Sequence, residues 1–561
     1  MILLEVNNLT LTFGSETDFK KVLDNVSFKL NKGETLGIVG ESGSGKSITA
    51  LSVLNLQPPN AFVSGDIYYY EKNKEINLLK LSDKDWLSFR GKNISMIFQE
   101  PMTSLNPTMK CGKQVSEILF MHTNLSSKKR RNRVLDLFEE VKLPDPQRIY
   151  NSYPHEISGG QKQRVMIAMA IALKPVILIA DEPTTALDVT VQKAIIDLLK
   201  AIQEKYAISI IFISHDLGVI AQIADKVLVM YNGQVVEKGA VKNILNNPEE
   251  PYTQGLIKCR PELSAKGDRL PVLSDFLQRT EYREQPEKQK VIYESEQEQI
   301  VLSVSGLNKS FVSKVNFWGK TRSSLKAIQN IQFDVYKGET LGLVGESGCG
   351  KTTLGRAITQ LIGYNSGEIE YKGKLIKNLT NIELKQFRQK VQIIFQDPYS
   401  SLNPKIKAGE AIAELLKVHQ LYQTSKERKQ RVFELLKQVK LTEEDYAKYP
   451  HEFSGGQRQR VVIARALALN PEFIICDESV SALDVSVQAE ILNLLNDLKR
   501  KYQLTYIFIS HDLSVVKFMS DRIMVMRDGQ LVEINKADEI YHSPASDYTR
   551  KLIDSIPELS V

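Results

Sequence analysis

Two stretches of this chain carry the residue types of a phosphate cradle. They are Gly40-Glu41-Ser42-Gly43-Ser44-Gly45-Lys46-Ser47 and Gly345-Glu346-Ser347-Gly348-Cys349-Gly350-Lys351-Thr352, the second followed by Thr353. Glycines at these positions let the backbone curl so that successive N–H groups point inward at phosphate oxygens. A helix N-terminus adds partial positive charge, the lysine reaches the terminal phosphates, and the Ser47 or Thr352 hydroxyl can ligate Mg²⁺. Cys349 places a thiol inside the second cradle.

Further along, Asp181-Glu182 and Asp477-Glu478 each end an apolar run. Beside a phosphate loop, an aspartate at a strand end holds Mg²⁺, and the next carboxylate can polarise an attacking water. Each Asp-Glu lies 23 residues after a Ser-Gly-Gly-Gln: Ser158-Gly159-Gly160-Gln161 in one case, Ser454-Gly455-Gly456-Gln457 in the other. Taken alone, such a turn is an N-cap. Beside a phosphate loop it is a second anion site, with backbone N–H groups and a serine hydroxyl facing another phosphate. His215 and His511 stand 34 residues after their aspartates, each at the end of a β-branched run.

These residues need elements to hold them, and the sequence supplies the set twice. Lys46 and Lys351 are 305 residues apart and Gln99 and Gln396 are 297 apart. The Ser158/Ser454, Asp181/Asp477 and His215/His511 pairs are each 296 apart. A near-constant offset means two copies of one domain. Leu36 to Val39, Ile94 to Phe98, Val176 to Ala180 and Ile208 to Ile213 read as buried parallel strands. Residues 1–35 read as a small antiparallel sheet, and residues 109–155 as mostly helical, with Ser127 as a cap. Asn232-Gly233 and Asp528-Gly529 mark hairpins. The expected fold is α/β: two tandem P-loop NTPase domains, each with an antiparallel β subdomain and a helical subdomain. The expected domains are 1–262 and 300–561, joined by a tail and charged linker at 263–299. As a flexible coil, residues 274–299 would span roughly 30 Å.

Composition narrows the function classes. With 561 residues, 42% apolar and 25% charged, the chain is globular and too long for one core. A net charge of +6 is small for that length and does not by itself indicate nucleic acid. The four cysteines, Cys111, Cys259, Cys349 and Cys476, are far apart and suit a reducing cytoplasm. No apolar run approaches the ~20 residues that span a bilayer, so other chains would form any pore.

The order of phosphate loop, glutamine, Ser-Gly-Gly-Gln, Asp-Glu and histidine resembles the nucleotide-binding domain of ATP-binding cassette (ABC) proteins, twice over. The resemblance implies ATP with Mg²⁺, Gln99 and Gln396 as metal-touching glutamines that sense the membrane partner, and Asp181 and Asp477 as metal ligands. It implies Glu182 and Glu478 as catalytic bases, His215 and His511 as the γ-phosphate switch, and Asp188 and Asp484 in the loop that crosses between cassettes. Family cassettes work head to tail, so the Lys46 loop would face Ser454 to Gln457 and the Lys351 loop Ser158 to Gln161. An aromatic residue stacks on adenine. Phe13 and Phe311 match best, with Phe19 and Trp318 as rivals. Both catalytic sets are complete, which predicts two competent sites.

Finer wording resembles the peptide/nickel importer ATPases. The carriers are Gln99-Glu100-Pro101 through Pro107, Gln396-Asp397-Pro398 through Pro404, Tyr153-Pro154-His155-Glu156, Tyr449-Pro450-His451-Glu452, and the tails Pro251-Tyr252-Thr253 and Asp547-Tyr548-Thr549. That implies two transmembrane permease subunits, an extracytoplasmic substrate-binding protein, and residence at the cytoplasmic face of the plasma (inner) membrane. The cargo would be a di- or oligopeptide or another small polar solute. With only Cys259 after the first cassette, no iron–sulfur cluster is expected. The alternative is a soluble two-cassette ATPase acting on ribosomes or nucleic acid. The mixed charge of Lys426 to Arg431 opposite the basic run Lys128 to Arg133 speaks against it.

Overall fold

The computed structural model describes residues 1–15, 18–71, 74–99, 104–185, 187–261, 269–278, 299–315, 321–481 and 483–556. Trp318 and most of the expected linker lie outside them. The chain forms two compact units, one built on Met1–Lys258 and the other on Glu281–Ile556. Leu273–Thr280 groups with the first and Cys259–Val272 with the second.

In the first unit a six-stranded sheet carries the order Gln234–Ala240, Lys226–Tyr231, Thr35–Val39, Ser209–Ser214, Ile177–Asp181, Ile94–Ile97. The four strands from Thr35–Val39 to Ile94–Ile97 are parallel, as is the pairing of Thr35–Val39 with Lys226–Tyr231. Alternation along each strand splits the side chains between two cores. Leu178, Ala180, Ile210 and Phe212 face the helical side. Ile177, Ile179, Ile211 and Ile213 face the four-stranded antiparallel sheet of Asp18–Asn31, Ile2–Ser15, Ala61–Glu71 and Lys74–Asn77. On the helical side, Cys111–His122, Ser127–Glu140 and Gly159–Ile171 bury Val115, Leu119, Val134, Leu137, Phe138 and Val165 against one another. Ser126, not Ser127, caps the second of these helices, through Lys129 N–H.

The second unit repeats the plan. Val391–Ile394, Phe473–Asp477, Thr505–Ile509, Thr340–Val344, Arg522–Arg527 and Gln530–Lys536 form its large sheet. A four-stranded sheet of Thr321–Tyr336, Ile300–Val315, Ser366–Tyr371 and Lys374–Leu375 accompanies it. Both hairpins expected at Asn232-Gly233 and Asp528-Gly529 form, pairing Tyr231 with Gln234 and Arg527 with Gln530. In each unit the chemistry-bearing residues follow the carboxyl ends of the parallel strands, where ligands bind in open α/β sheets.

Candidate functional site

Each phosphate loop leaves a fully buried central strand and enters a helix, Lys46–Val53 or Lys351–Ile358. The residue before the helix must be left-handed, which glycine adopts without steric cost. Gly45 sits at φ 101° and Gly350 at φ 109°. A Cβ on Gly45 would come within 2.6 Å of Leu23 Cδ2, and one on Gly350 within 2.2 Å of the Ala327 carbonyl. Larger residues are therefore excluded by both conformation and space.

The buried Lys46 ammonium donates to the carbonyls of Gly40 (2.7 Å) and Glu41 (2.9 Å). Lys351 does the same with Gly345 (2.6 Å) and Glu346 (3.0 Å). Ser47 Oγ donates to Asp181 Oδ1 at 3.0 Å, and Thr352 Oγ1 to Asp477 Oδ1 at 2.9 Å. A hydroxyl and a carboxylate meeting beside a phosphate loop are the hard oxygen donors that suit Mg²⁺, which binds through one or two carboxylates with substrate phosphates and keeps several waters. Ser44 Oγ is buried in the first loop without a protein partner, as a donor to a phosphate oxygen would be. At the matching place Cys349 is buried, with Lys351 Nζ 3.9 Å from its sulfur.

Beside the metal-type pair stands a second cluster. Glu182 Oε2 accepts from Gln99 Nε2 at 3.1 Å and from Thr185 Oγ1 at 2.8 Å, with His215 Nδ1 at 3.4 Å. Glu478 Oε2 accepts from Gln396 Nε2 at 2.7 Å, with His511 Nδ1 at 3.6 Å. Burial pushes the Glu182 carboxyl up, but His215, Thr185 and the Lys46 charge outweigh it and hold it at about 2. Glu478 is lowered in the same way by His511 and Lys351, against burial. The adjacent Asp181 goes the other way. Burial, reinforced by the Glu182 charge, raises it to about 6 despite the Ser47 hydrogen bond. One carboxylate is thus kept ionised and its neighbour is left short of positive charge. Perturbed acids of this kind cluster at functional sites. Both glutamates also hold a left-handed backbone, Glu182 at φ 45° and Glu478 at φ 47°, a strained conformation for a residue with a side chain.

The expected residues Lys46, Ser47, Gln99, Asp181, Glu182 and His215 thus fall into two touching clusters, and Lys351, Thr352, Gln396, Asp477, Glu478 and His511 into two more. The Ser-Gly-Gly-Gln turns start helices Gly159–Ile171 and Gly455–Leu467 as capping boxes. Ser158 Oγ accepts from Gln161 N–H and Gln161 Oε1 from Ser158 N–H, and Ser454 and Gln457 repeat this. Both Ser158 and Ser454 are exposed. The Phe13 ring is partly buried against the sheet core. Phe19 is exposed and meets Phe62 edge to face at 5.9 Å. Phe311 is exposed under the Lys309 ammonium, 4.9 Å from the ring centre.

Two supports were not singled out from sequence. One is Thr185. The other is the hairpin glycine: Gly233 N–H donates to the Ser44 carbonyl (3.1 Å) and Gly529 N–H to that of Cys349 (3.0 Å). The duplication offset was the signal available, since Gly233 and Gly529 keep the spacing of 296.

Residues 23–185 and 328–481 match the family described as ABC transporter. Residues 236–284 and 532–561 match that described as Oligopeptide/dipeptide transporter, C-terminal region. The glutathione import ATP-binding protein GsiA of Escherichia coli O6:H1 is 45% identical over 562 residues, covering 99% of this chain and 89% of that protein. Its namesake from Salmonella choleraesuis is 45% identical over 561 residues, with the same coverage. Among solved structures, the dimeric post-hydrolysis state of the cassette MJ0796 bound to ADP and Pi covers 42% of this chain and 98% of its own. Its identity is 30% and its TM-score 0.38.

Proposed function

This chain belongs to the ABC transporter family, and from that premise we propose that its ATP hydrolysis energises uptake of a small peptide-like solute through separate membrane permeases. Among the described residues no helix is long and apolar enough to cross a membrane, so the transport path belongs to other chains. The relatives named for glutathione import, and the matched oligopeptide/dipeptide tails, make a short peptide or peptide-like thiol the favoured cargo. An extracytoplasmic binding protein would deliver it, with this subunit on the cytoplasmic face. The ribosome or nucleic-acid alternative is not favoured, because relatives aligned with 99% of the chain are import ATP-binding proteins.

The observation that carries the reading is the doubled cluster of ionised glutamate, glutamine and histidine beside a buried loop lysine. In the first unit, the N–H groups of Ser42 to Ser47 and the Lys46 ammonium would bind the phosphates. Glu182 would accept a proton from the attacking water, and His215 would orient that water and the terminal phosphate. Ser347 to Thr353, Glu478 and His511 would take these roles in the second. Mg²⁺ would be held by Ser47, Asp181 and Gln99, or by Thr352, Asp477 and Gln396, and would neutralise developing phosphate charge. Ser158 to Gln161 and Ser454 to Gln457 would supply further N–H groups for phosphate, and Phe13 and Phe311 the adenine platforms. Because phosphoryl transfer asks the protein mainly for placement and electrostatics, small displacements of these groups matter greatly.

The test is affinity purification from native membranes. Two permeases and a binding protein should co-purify, and ribosomal proteins in their place would overturn the reading. The purified chain should hydrolyse ATP, and the K46A/K351A double variant should not.

A further inference from the structure

The tail that follows each hairpin reaches back to the phosphate loop. In the first unit, the Glu237 carboxylate accepts from the N–H groups of Glu249 (2.9 Å) and Glu250 (3.4 Å), which fixes the start of the helix Pro251–Lys258. That places Tyr252, which is 2% exposed, with its ring 4.3 Å from that of Tyr231. Its hydroxyl accepts from Glu41 N–H at 3.0 Å. The carbonyl of the same peptide group, that of Gly40, accepts from Lys46 Nζ at 2.7 Å. One peptide of the phosphate loop is therefore held at both ends, by the loop lysine on its oxygen and by a tail tyrosine on its nitrogen.

The second unit builds the same device. Glu533 accepts from Ala545 N–H (2.8 Å) and Ser546 N–H (3.2 Å). Tyr548, stacked under Arg527 at 4.9 Å, accepts from Glu346 N–H at 3.3 Å. Lys351 holds the Gly345 carbonyl at 2.6 Å. The tyrosines are 296 residues apart and the loop glutamates 305. The contact has thus survived a change in spacing between its partners and a change of the ring's neighbour from Tyr231 to Arg527.

We infer that Tyr252 and Tyr548 are positioning residues for nucleotide binding, each pinning the first peptide of its phosphate loop from the tail. The Gly40–Glu41 N–H is committed to the tail and not to phosphate. Its carbonyl depends on a lysine that a phosphate would draw away. With the lysine withdrawn, the tyrosine is what stops that peptide from turning, so the remaining loop N–H groups stay aimed inward. Hydrogen bonds at the two ends of one amide polarise each other, and losing one weakens the other.

The inference rests on the reading that the Lys46 and Lys351 loops bind ATP. The test uses the full chain with Y252F, Y548F and the double substitution, which keep the ring and remove the hydroxyl. ATP affinity in EDTA, KM and kcat for MgATP, the melting temperature, and amide exchange at Glu41 and Glu346 are measured. The double variant should raise Kd and KM about threefold to tenfold, the range expected for one hydrogen bond. Its kcat should stay within about twofold, and the Glu41 and Glu346 amides should exchange faster. Each single variant should weaken one of two sites in the binding isotherm. Unchanged Kd and KM would overturn the inference, as would a lowered melting temperature with unchanged affinity, the mark of a merely structural tyrosine. If K46A and K351A bound ATP like the wild type, the failure would lie with the loop assignment and not with the tether.

Discussion

Thr185 and Ser481 occupy the same place in the two cassettes, yet their hydroxyls serve different acceptors. Thr185 Oγ1 donates to the Glu182 carboxylate at 2.8 Å, whereas Ser481 Oγ donates to the main-chain carbonyl of Glu478 at 2.9 Å. Among the described residues, the first glutamate is therefore gripped by glutamine, threonine and histidine, and the second by glutamine and histidine. The glutamine contact compensates: Gln396 lies 2.7 Å from its glutamate and Gln99 lies 3.1 Å from its own. The extra methyl of threonine restricts its χ1, while serine turns freely toward the backbone. The same position thus ties its glutamate differently in the two cassettes, where the preceding residues differ as well, Pro183-Thr184 against Ser479-Val480. The comparison teaches that the cassettes share chemistry but differ in how tightly each base is tied to its surroundings.

The strongest way to break this comparison is to remove the bases. E182Q with E478Q should lower kcat at least about 100-fold, in line with loss of a general base. Each single variant should keep roughly half of wild-type turnover if the sites are equally competent and independent. Loss of all turnover in E182Q alone would show coupling, and wild-type activity in E478Q would show an idle second site. Steady-state ATPase assays decide. A sharper cut uses the hydroxyls. T185V, read in an E478Q background, should slow the first site about threefold to tenfold, and T185S should restore part of it. S481A, read in an E182Q background, should change turnover less than about twofold. Equal effects would erase the distinction.

A smaller effect is expected from acidity. In EDTA, Asp181 titrates near 6 in the folded protein, above its ordinary 3.8, because of burial and the Glu182 charge. A raised carboxylate contributes fully below its unfolded pKa and loses that contribution as pH rises through the folded one. Glu182, held at about 2, contributes above its ordinary 4.5 and loses that contribution only as pH falls toward 2. Between pH 4.5 and 7 the Asp181 trend acts without opposition from Glu182. The melting temperature of the chelated protein should therefore fall over that range by an amount on the order of 2 kcal/mol in stability. D181N should remove the Asp181 share of the trend and leave that of Asp477, which burial also raises, and Mg²⁺ with ATP should reverse both. Differential scanning calorimetry from pH 4.5 to 7 tests each point.

Much of this molecule is legible in its sequence because its signals are local. The loop glycines, the Asp-Glu pairs and the apolar runs announce cradle, metal-type pair and sheet, and the strand order Thr35–Val39, Ser209–Ser214, Ile177–Asp181 puts them side by side. Helix starts shift by a residue, as where Ser126 and not the expected Ser127 caps its helix, because caps and first turns follow tertiary contacts. The tyrosine tether was not legible. A hydroxyl meeting a backbone N–H 211 positions away leaves no pattern along the chain. The use of Thr185 was hidden for a similar reason, since which acceptor a hydroxyl meets depends on the packing around it as well as on residue type.

The left-handed backbone of Glu182 and Glu478 also sets two demands against each other. Glycine could take that angle without strain. It would also delete the carboxylate that meets Gln99 in one copy and Gln396 in the other. Both copies still carry glutamate, at φ 45° and 47°. Backbone ease and the acid are therefore exclusive at this one position, and both halves resolve the conflict the same way, by keeping the side chain and bearing the strain.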